Sequence, residues 1–126
     1  MDLSPLIPEG RQVINSYFAG GFRVTGERRA GSILVFPERT LSWPVADAGG
    51  LDAEVLAPVI AAEPAVEILL LGCGARGIQV RVEIRECLRA VGIGVEAMDT
   101  GAACRTYNVL MAEGRRVAAA LIAFDD

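Results

Sequence analysis

Apolar positions along the chain change rhythm near its middle. Val13–Phe18 and Phe22–Val24 are short apolar runs around Ala19-Gly20-Gly21. They predict two strands and a tight hairpin, because adjacent glycines reach positive φ without steric cost. Ser32–Phe36 is a third run, stopped by Pro37, and Thr40–Trp43 a fourth, stopped by Pro44. Ala46–Gly50 reads as loop. Asp52–Ala62 then carries Val55, Leu56, Val59 and Ile60 at helical spacing, with Pro58 among them, so a short or kinked helix is predicted.

From Val66 onward, strands alternate with helices. Val66–Leu71 is an unbroken apolar run, as expected of a strand covered on both faces. Val80, Ile84, Cys87, Leu88 and Val91 recur on one helical face that closes at Gly92. Gly94–Met98 reads as a strand. Ala103–Glu113 reads as a helix with Tyr107, Leu110 and Met111 inward, and Val117–Phe124 as the last strand. A β-rich first half followed by alternating elements predicts an α/β sheet with an extra β layer. The length of 126 residues fits a single domain, 1–126, with residues 1–11 as a loosely ordered tail.

Composition narrows the chemistry. Hydrophobic residues make up 52% and charged residues 22%, a globular balance. The net charge of -4 argues against a nucleic-acid partner. Histidine is absent, which removes Ser-His-Asp and Cys-His nucleophile systems and every His-ligated metal site. All 12 basic residues are Arg, so lysine chemistry is absent as well. Cys73, Cys87 and Cys104 form no C-x-x-C pair, so reduced thiols are expected rather than disulfides or zinc. No run reaches the ~18 apolar residues of a membrane span. Met1–Gly10 lacks the basic start and apolar stretch of a signal peptide, so the expectation is a cytoplasmic protein, or a mature one already processed, without membrane insertion.

Three motifs carry candidate chemistry. Gly72-Cys73-Gly74-Ala75-Arg76-Gly77 is a G-x-G-x-x-G directly after a strand, the pattern that brings a backbone close to a pyrophosphate. Glu96 or Asp99 falls near the position of a ribose-binding carboxylate. The preceding Ile68–Leu71 also makes the stretch similar to an S-adenosylmethionine-binding loop, although Leu70 stands near where such loops carry an acid. Little chain follows Gly77, which favours a plain strand-to-helix turn. Asp99-Thr100-Gly101 is the D-T-G triplet of aspartic proteases, but a helical pattern follows it, so a capped helix entry is the favoured reading. Arg81, Arg85 and Arg89 share one helix face, either a docking surface for an acidic partner or a solvated face tempered by Glu83 and Glu86. Cys73 and Cys104 could each sit at a helix start, but with no histidine base a packing role is favoured.

Taken as a set, Tyr17–Gly26, Gly31–Pro37, Leu71–Gly74 and Gly92–Ile122 resemble a family of small domains of unknown function. That family includes the mitochondrial NADH dehydrogenase (complex I) assembly factor 3. The resemblance runs from about Ile14 to Ile122, and its most distinctive block is the stretch from Gly92 through Asp99–Asn108 to Ile122; Cys73 departs from it, relatives more often having threonine there. It implies a single three-layer domain with a central mixed sheet, no established enzymatic activity and no cofactor. It also implies a role through protein contacts, with an unknown protein partner such as a membrane complex under assembly, here in a bacterial member. A small-molecule or nucleotide-cofactor binder is the alternative. Its groove would comprise Gly72, Cys73, Gly74, Asp99 and Thr100, with Arg105 neutralising an anion and Tyr107 donating a hydrogen bond.

Overall fold

Two five-residue strands with no polar side chain lie side by side in the main sheet. β6 (Ile68–Gly72) and β8 (Val117–Leu121) pair in parallel, with Leu70 opposite Ala119. β7 (Gly94–Met98) pairs in parallel with the other side of β6. β4 (Ile33–Val35) pairs antiparallel with β8, and β5 (Thr40–Ser42) lies outside β4. The strand order is β5-β4-β8-β6-β7, a mixed five-stranded sheet. The computed structural model describes residues 10–74 and 79–124.

A strand buried on both faces needs an apolar residue at every position, not at alternate ones. On one face Leu69, Leu71, Val95, Ala118 and Ala120 share a cluster with Val59 of α1 (Ala57–Ile60) and with Ile84 and Leu88 of α2 (Val82–Arg89). On the other face Leu70, Val117, Ala119 and Leu121 share a cluster with Ala103, Tyr107 and Met111 of α3 (Thr100–Ala112). The three central alanines of β8 are fully buried, and their small side chains leave depth for Trp43 and Phe36 on one side and Tyr107 on the other.

A separate antiparallel sheet, β1-β2-β3, comprises β1 (Ile14–Phe18), β2 (Gly21–Val24) and β3 (Glu27–Ala30). Phe22 and Val24 of β2 and Ile14 of β1 join the α3 cluster, so this sheet forms the third layer with α3. The fold is one α/β domain with a mixed sheet and an N-terminal β layer, as expected.

Several boundaries differ from the sequence reading. β3 has no sequence signal, since Glu27-Arg28-Arg29-Ala30 lacks apolar alternation; it forms by pairing with β2 and lies at an edge, where charge is tolerated. The first hairpin turn uses Gly20 at φ +81, whereas Gly21 belongs to β2. A side chain at Gly21 would run into the Phe18 ring and the Arg29 carbonyl. The helix predicted over Asp52–Ala62 shortens to four residues with Pro58 in its first turn. Cys87 and Val91 do not face the core; both are exposed, and α2 is anchored by Ile84 and Leu88. α3 starts at Thr100, not Ala103, because Asp99 caps it. β8 ends at Leu121, after which Ala123 N–H donates to Ser32 Oγ and the Phe124 carbonyl accepts from Gly20 N–H. Residues 1–9 of the expected tail lie outside the described residues, while Arg11 pairs with Glu38 at 2.8 Å. Among the described residues, no helix is long and apolar enough to cross a membrane.

Candidate functional site beyond the ends of strands six and seven

β6 leads to α2 on one face of the sheet, and its neighbour β7 leads to α3 on the other. Adjacent parallel strands whose connections leave by opposite faces open a crevice beyond their C-terminal ends. The two turn motifs meet there. Cys73 N–H donates to Met98 O at 3.2 Å. Gly74 N–H donates to Thr100 Oγ1 at 2.8 Å, and Thr100 N–H donates back to Gly74 O at 2.8 Å. The Asp99 carboxylate accepts from Ala102 N–H at 2.8 Å and so caps α3.

Glycine is required on the β6 side for two different reasons. A Cβ on Gly72 would lie 2.8 Å from Leu121 Cδ2 and 3.1 Å from Ala103 Cβ, so its absence lets α3 approach the sheet. Gly74 turns the chain at φ +87, in the left-handed region that favours glycine.

Above this junction is a pocket of about 350 Å³ lined by Tyr17, Phe18, Gly74, Asp99, Gly101 and Phe124. The Tyr17 and Phe124 rings stand 6.1 Å apart, and Tyr17 is 45% exposed. The Tyr17 hydroxyl and Arg105 Nη1 lie 2.9 and 3.2 Å from the point where a side chain on Gly101 would begin. The pocket therefore has an aromatic rim, supplied by the first hairpin and the end of the chain, over a floor of glycine and capped helix.

The remaining candidates are distributed differently. Tyr107 does not line the pocket: it is fully buried, and its hydroxyl donates to Gln12 O at 2.9 Å. Burial pushes its ionisation upward, so it remains a neutral donor. Thr100 is wholly buried in the junction. Cys104 is buried, and that burial pushes its thiol up to about 12, with Arg105 opposing the shift. A thiol so protonated is a poor nucleophile. Cys73 is half-buried against the core, its Sγ 4.0 Å from Leu71 O. Gly77 lies outside the described residues. Neither acidic residue near β7 stands as a ribose ligand would, since Asp99 caps α3 and Glu96 is exposed along the strand.

The arginine face also divides. Arg81 Nη2 donates to Leu51 O, and Arg85 Nη1 donates to Val95 O at 3.0 Å, so both staple α2 to its surroundings. Arg89 is exposed. The pocket residues Tyr17, Phe18 and Phe124 escaped sequence reasoning as site residues, because no local pattern joins a hairpin end to a turn far along the chain.

Residues 14–122 match the model of a family described as protein of unknown function (DUF498/DUF598). The chain belongs to this family. The chain is 41% identical over 110 residues to NADH dehydrogenase (ubiquinone) 1 alpha subcomplex assembly factor 3 of Danio rerio, covering 87% of this chain and 63% of that protein. It is 38% identical over 119 residues to an uncharacterised protein of Rhodobacter capsulatus, covering 90% of this chain and 86% of that one. Among solved DUF498-like structures, a Bordetella parapertussis protein superposes with a TM-score of 0.82 at 40% identity, covering 92% of this chain and 99% of that one. The chain thus spans about three-fifths of the vertebrate assembly factor it matches and most of the length of its bacterial counterparts.

Proposed function

We propose that this chain is a non-enzymatic interaction domain that takes part in assembling a membrane-bound NADH dehydrogenase. The carrying observation is the 41% identity, over 87% of the chain, to a protein named as an assembly factor for that enzyme. The site geometry supports the reading. The polar groups of the crevice are engaged with one another: Gly74 with Thr100, and Asp99 with Ala102. A satisfied floor under an aromatic rim suits holding part of a partner protein better than turning over a substrate. In this reading the chain works in the cytoplasm beside the membrane without entering it. The test is native electrophoresis of host extracts carrying a tagged chain. Comigration with partial NADH dehydrogenase complexes is expected, and a tagged chain found only as free protein would overturn the reading.

The pocket of about 350 Å³ at a strand-end crevice favours a second reading, a small-molecule binder. The Gly74 amide already has Thr100 Oγ1 as its acceptor and Cys73 N–H has Met98 O, so neither is open to a pyrophosphate. A thermal-shift series with NAD, S-adenosylmethionine and ATP tests this. A true ligand at a hundredfold excess over its Kd stabilises by about 2.7 kcal/mol, and flat curves would remove this reading.

A further inference from the structure

β7 is an open edge of the main sheet. Gly94 N–H and Met98 O bond toward β6, so Val95 and Ala97 turn their backbone groups outward. Among the described residues, only one of those outward groups has a partner, the Val95 carbonyl, which Arg85 Nη1 holds at 3.0 Å. The N–H groups of Val95 and Ala97 and the carbonyl of Ala97 are left facing out.

The other edges are better protected. β5 is three residues long, β3 is densely charged, and the Ile14 backbone of β1 is covered by Asn108. β7 has five residues and one charge, Glu96. A strand of this kind is a template for an added strand. Beside it runs a groove of about 460 Å³ between α2 and β7, lined by Arg85, Arg89, Ile93, Val95 and Glu96. Neither arginine forms an ion pair among the described residues, although the chain as a whole carries a net charge of -4. The groove thus has two cations over apolar flooring, and strand alternation turns the Glu96 side chain to the opposite face from Val95.

We infer that the β7 edge docks an extended, acidic segment of a partner protein as an added strand, with Arg85 and Arg89 pairing its carboxylates. This rests on the interaction-domain reading and names a surface and a partner chemistry for it. A second copy of this chain is a poorer occupant. Two-fold pairing would set Val95 against Ala97 of the other copy and bring the two Glu96 side chains opposite each other. Any added strand takes the Val95 carbonyl from Arg85, which frees that guanidinium for a carboxylate of the incoming segment.

The probes are two blocked heptapeptides, one alternating valine with glutamate and one alternating valine with lysine. Amide spectra of the labelled protein follow Val95 and Ala97. The glutamate peptide is expected to shift both amides and slow their hydrogen exchange, and the lysine peptide to bind about tenfold more weakly. Arg89→Glu, at an exposed position that leaves the core untouched, should reverse that order of preference. Unmoved β7 amides, equal binding of the two peptides, or binding confined to the Tyr17 pocket would overturn the inference. Loss of NADH dehydrogenase assembly on gene deletion, with no peptide binding, sinks this inference alone. Peptide binding with unchanged assembly sinks the assembly reading alone.

Discussion

The side-chain amide of Asn108 pairs with both backbone groups of Ile14. Its Nδ2 donates to Ile14 O at 2.8 Å, and Ile14 N–H donates to its Oδ1 at 2.9 Å. Asn108 thereby supplies one rung of a missing strand at the edge of β1 and fastens α3 to the N-terminal sheet. Asn108→Leu leaves both groups of a buried residue without partners, at a cost of about 2–4 kcal/mol. The expected drop in Tm is on the order of 10 °C. Thermal melts measure the cost, and faster exchange of the Ile14 amide would locate it.

The Gly74–Thr100 junction makes a second prediction. Thr100→Val keeps the shape but removes the acceptor of Gly74 N–H, and should destabilise by about 1–3 kcal/mol. Thr100→Ser keeps the hydroxyl, so its Gly74 amide should stay protected from exchange while the valine variant's amide does not. Equal exchange in the two variants would mean that the hydroxyl contributes nothing there.

Gly72 and Gly101 should differ in their tolerance of alanine. At Gly72 the new Cβ meets Leu121, Ala103 Cβ and the Thr100 backbone within 3.3 Å, so about 1–3 kcal/mol of overpacking is expected. At Gly101 it meets the far ends of Tyr17 and Arg105, which can swing aside, and Asp99 Oδ1 at 3.5 Å, an ordinary contact. Gly101→Ala should therefore fall within about 1 kcal/mol of the parent, helped by better helix propensity. Denaturant midpoints of the two variants check the contrast.

These residues show what could be read in advance. β7 was legible from end to end, and the apolar core of β6 as well, because a strand in a parallel sheet carries its own burial pattern. That each turn follows a strand was also legible; that β6 and β7 are parallel neighbours, which brings the turns together, was not. The roles within the turns were not. Tyr107 reads as a ligand donor in one dimension, but its partner is Gln12, 95 positions away. Cys87 and Val91 fit the helical period of α2, yet they point away from the core, because α2 is an eight-residue helix anchored through Ile84 and Leu88. β3 carries no pattern of its own and exists only as the partner of β2. The Asp99–Asn108 stretch, one part of the residues that carried the family resemblance, proves to be largely structural. Asp99 caps α3, Thr100 clasps Gly74, Tyr107 reaches Gln12 and Asn108 reaches Ile14.

Acid should weaken one tie in the fold. Glu38 accepts from Arg116 Nη1 at 2.9 Å and from Arg11 Nη1 at 2.8 Å. The Arg116 hydrogen bond, more than that of Arg11, holds its carboxyl below the usual 4.5. A depressed carboxyl pKa stabilises the fold fully above the unfolded value and loses that contribution as pH falls through the folded one. The pair is partly exposed, so its worth is on the order of 1 kcal/mol. Glu38→Gln should therefore melt slightly below the parent at neutral pH, and the gap should close as pH falls below 4.5.

The thiols should separate by reactivity. Cys104, with its thiol pushed up to about 12 by burial, should resist alkylation at pH 8 until the protein unfolds, whereas exposed Cys87 should react in the folded state. Mass spectrometry of alkylated peptides, with and without denaturant, decides this.

The assembly role is tested most sharply by removing the protein. Deletion of its gene in the host, followed by quantification of assembled NADH dehydrogenase on native gels, tests it. Loss of the mature enzyme with partial complexes accumulating, reversed by reintroducing the chain, is the predicted result. An unchanged amount of fully assembled, active enzyme in the deletion strain would contradict the assembly role.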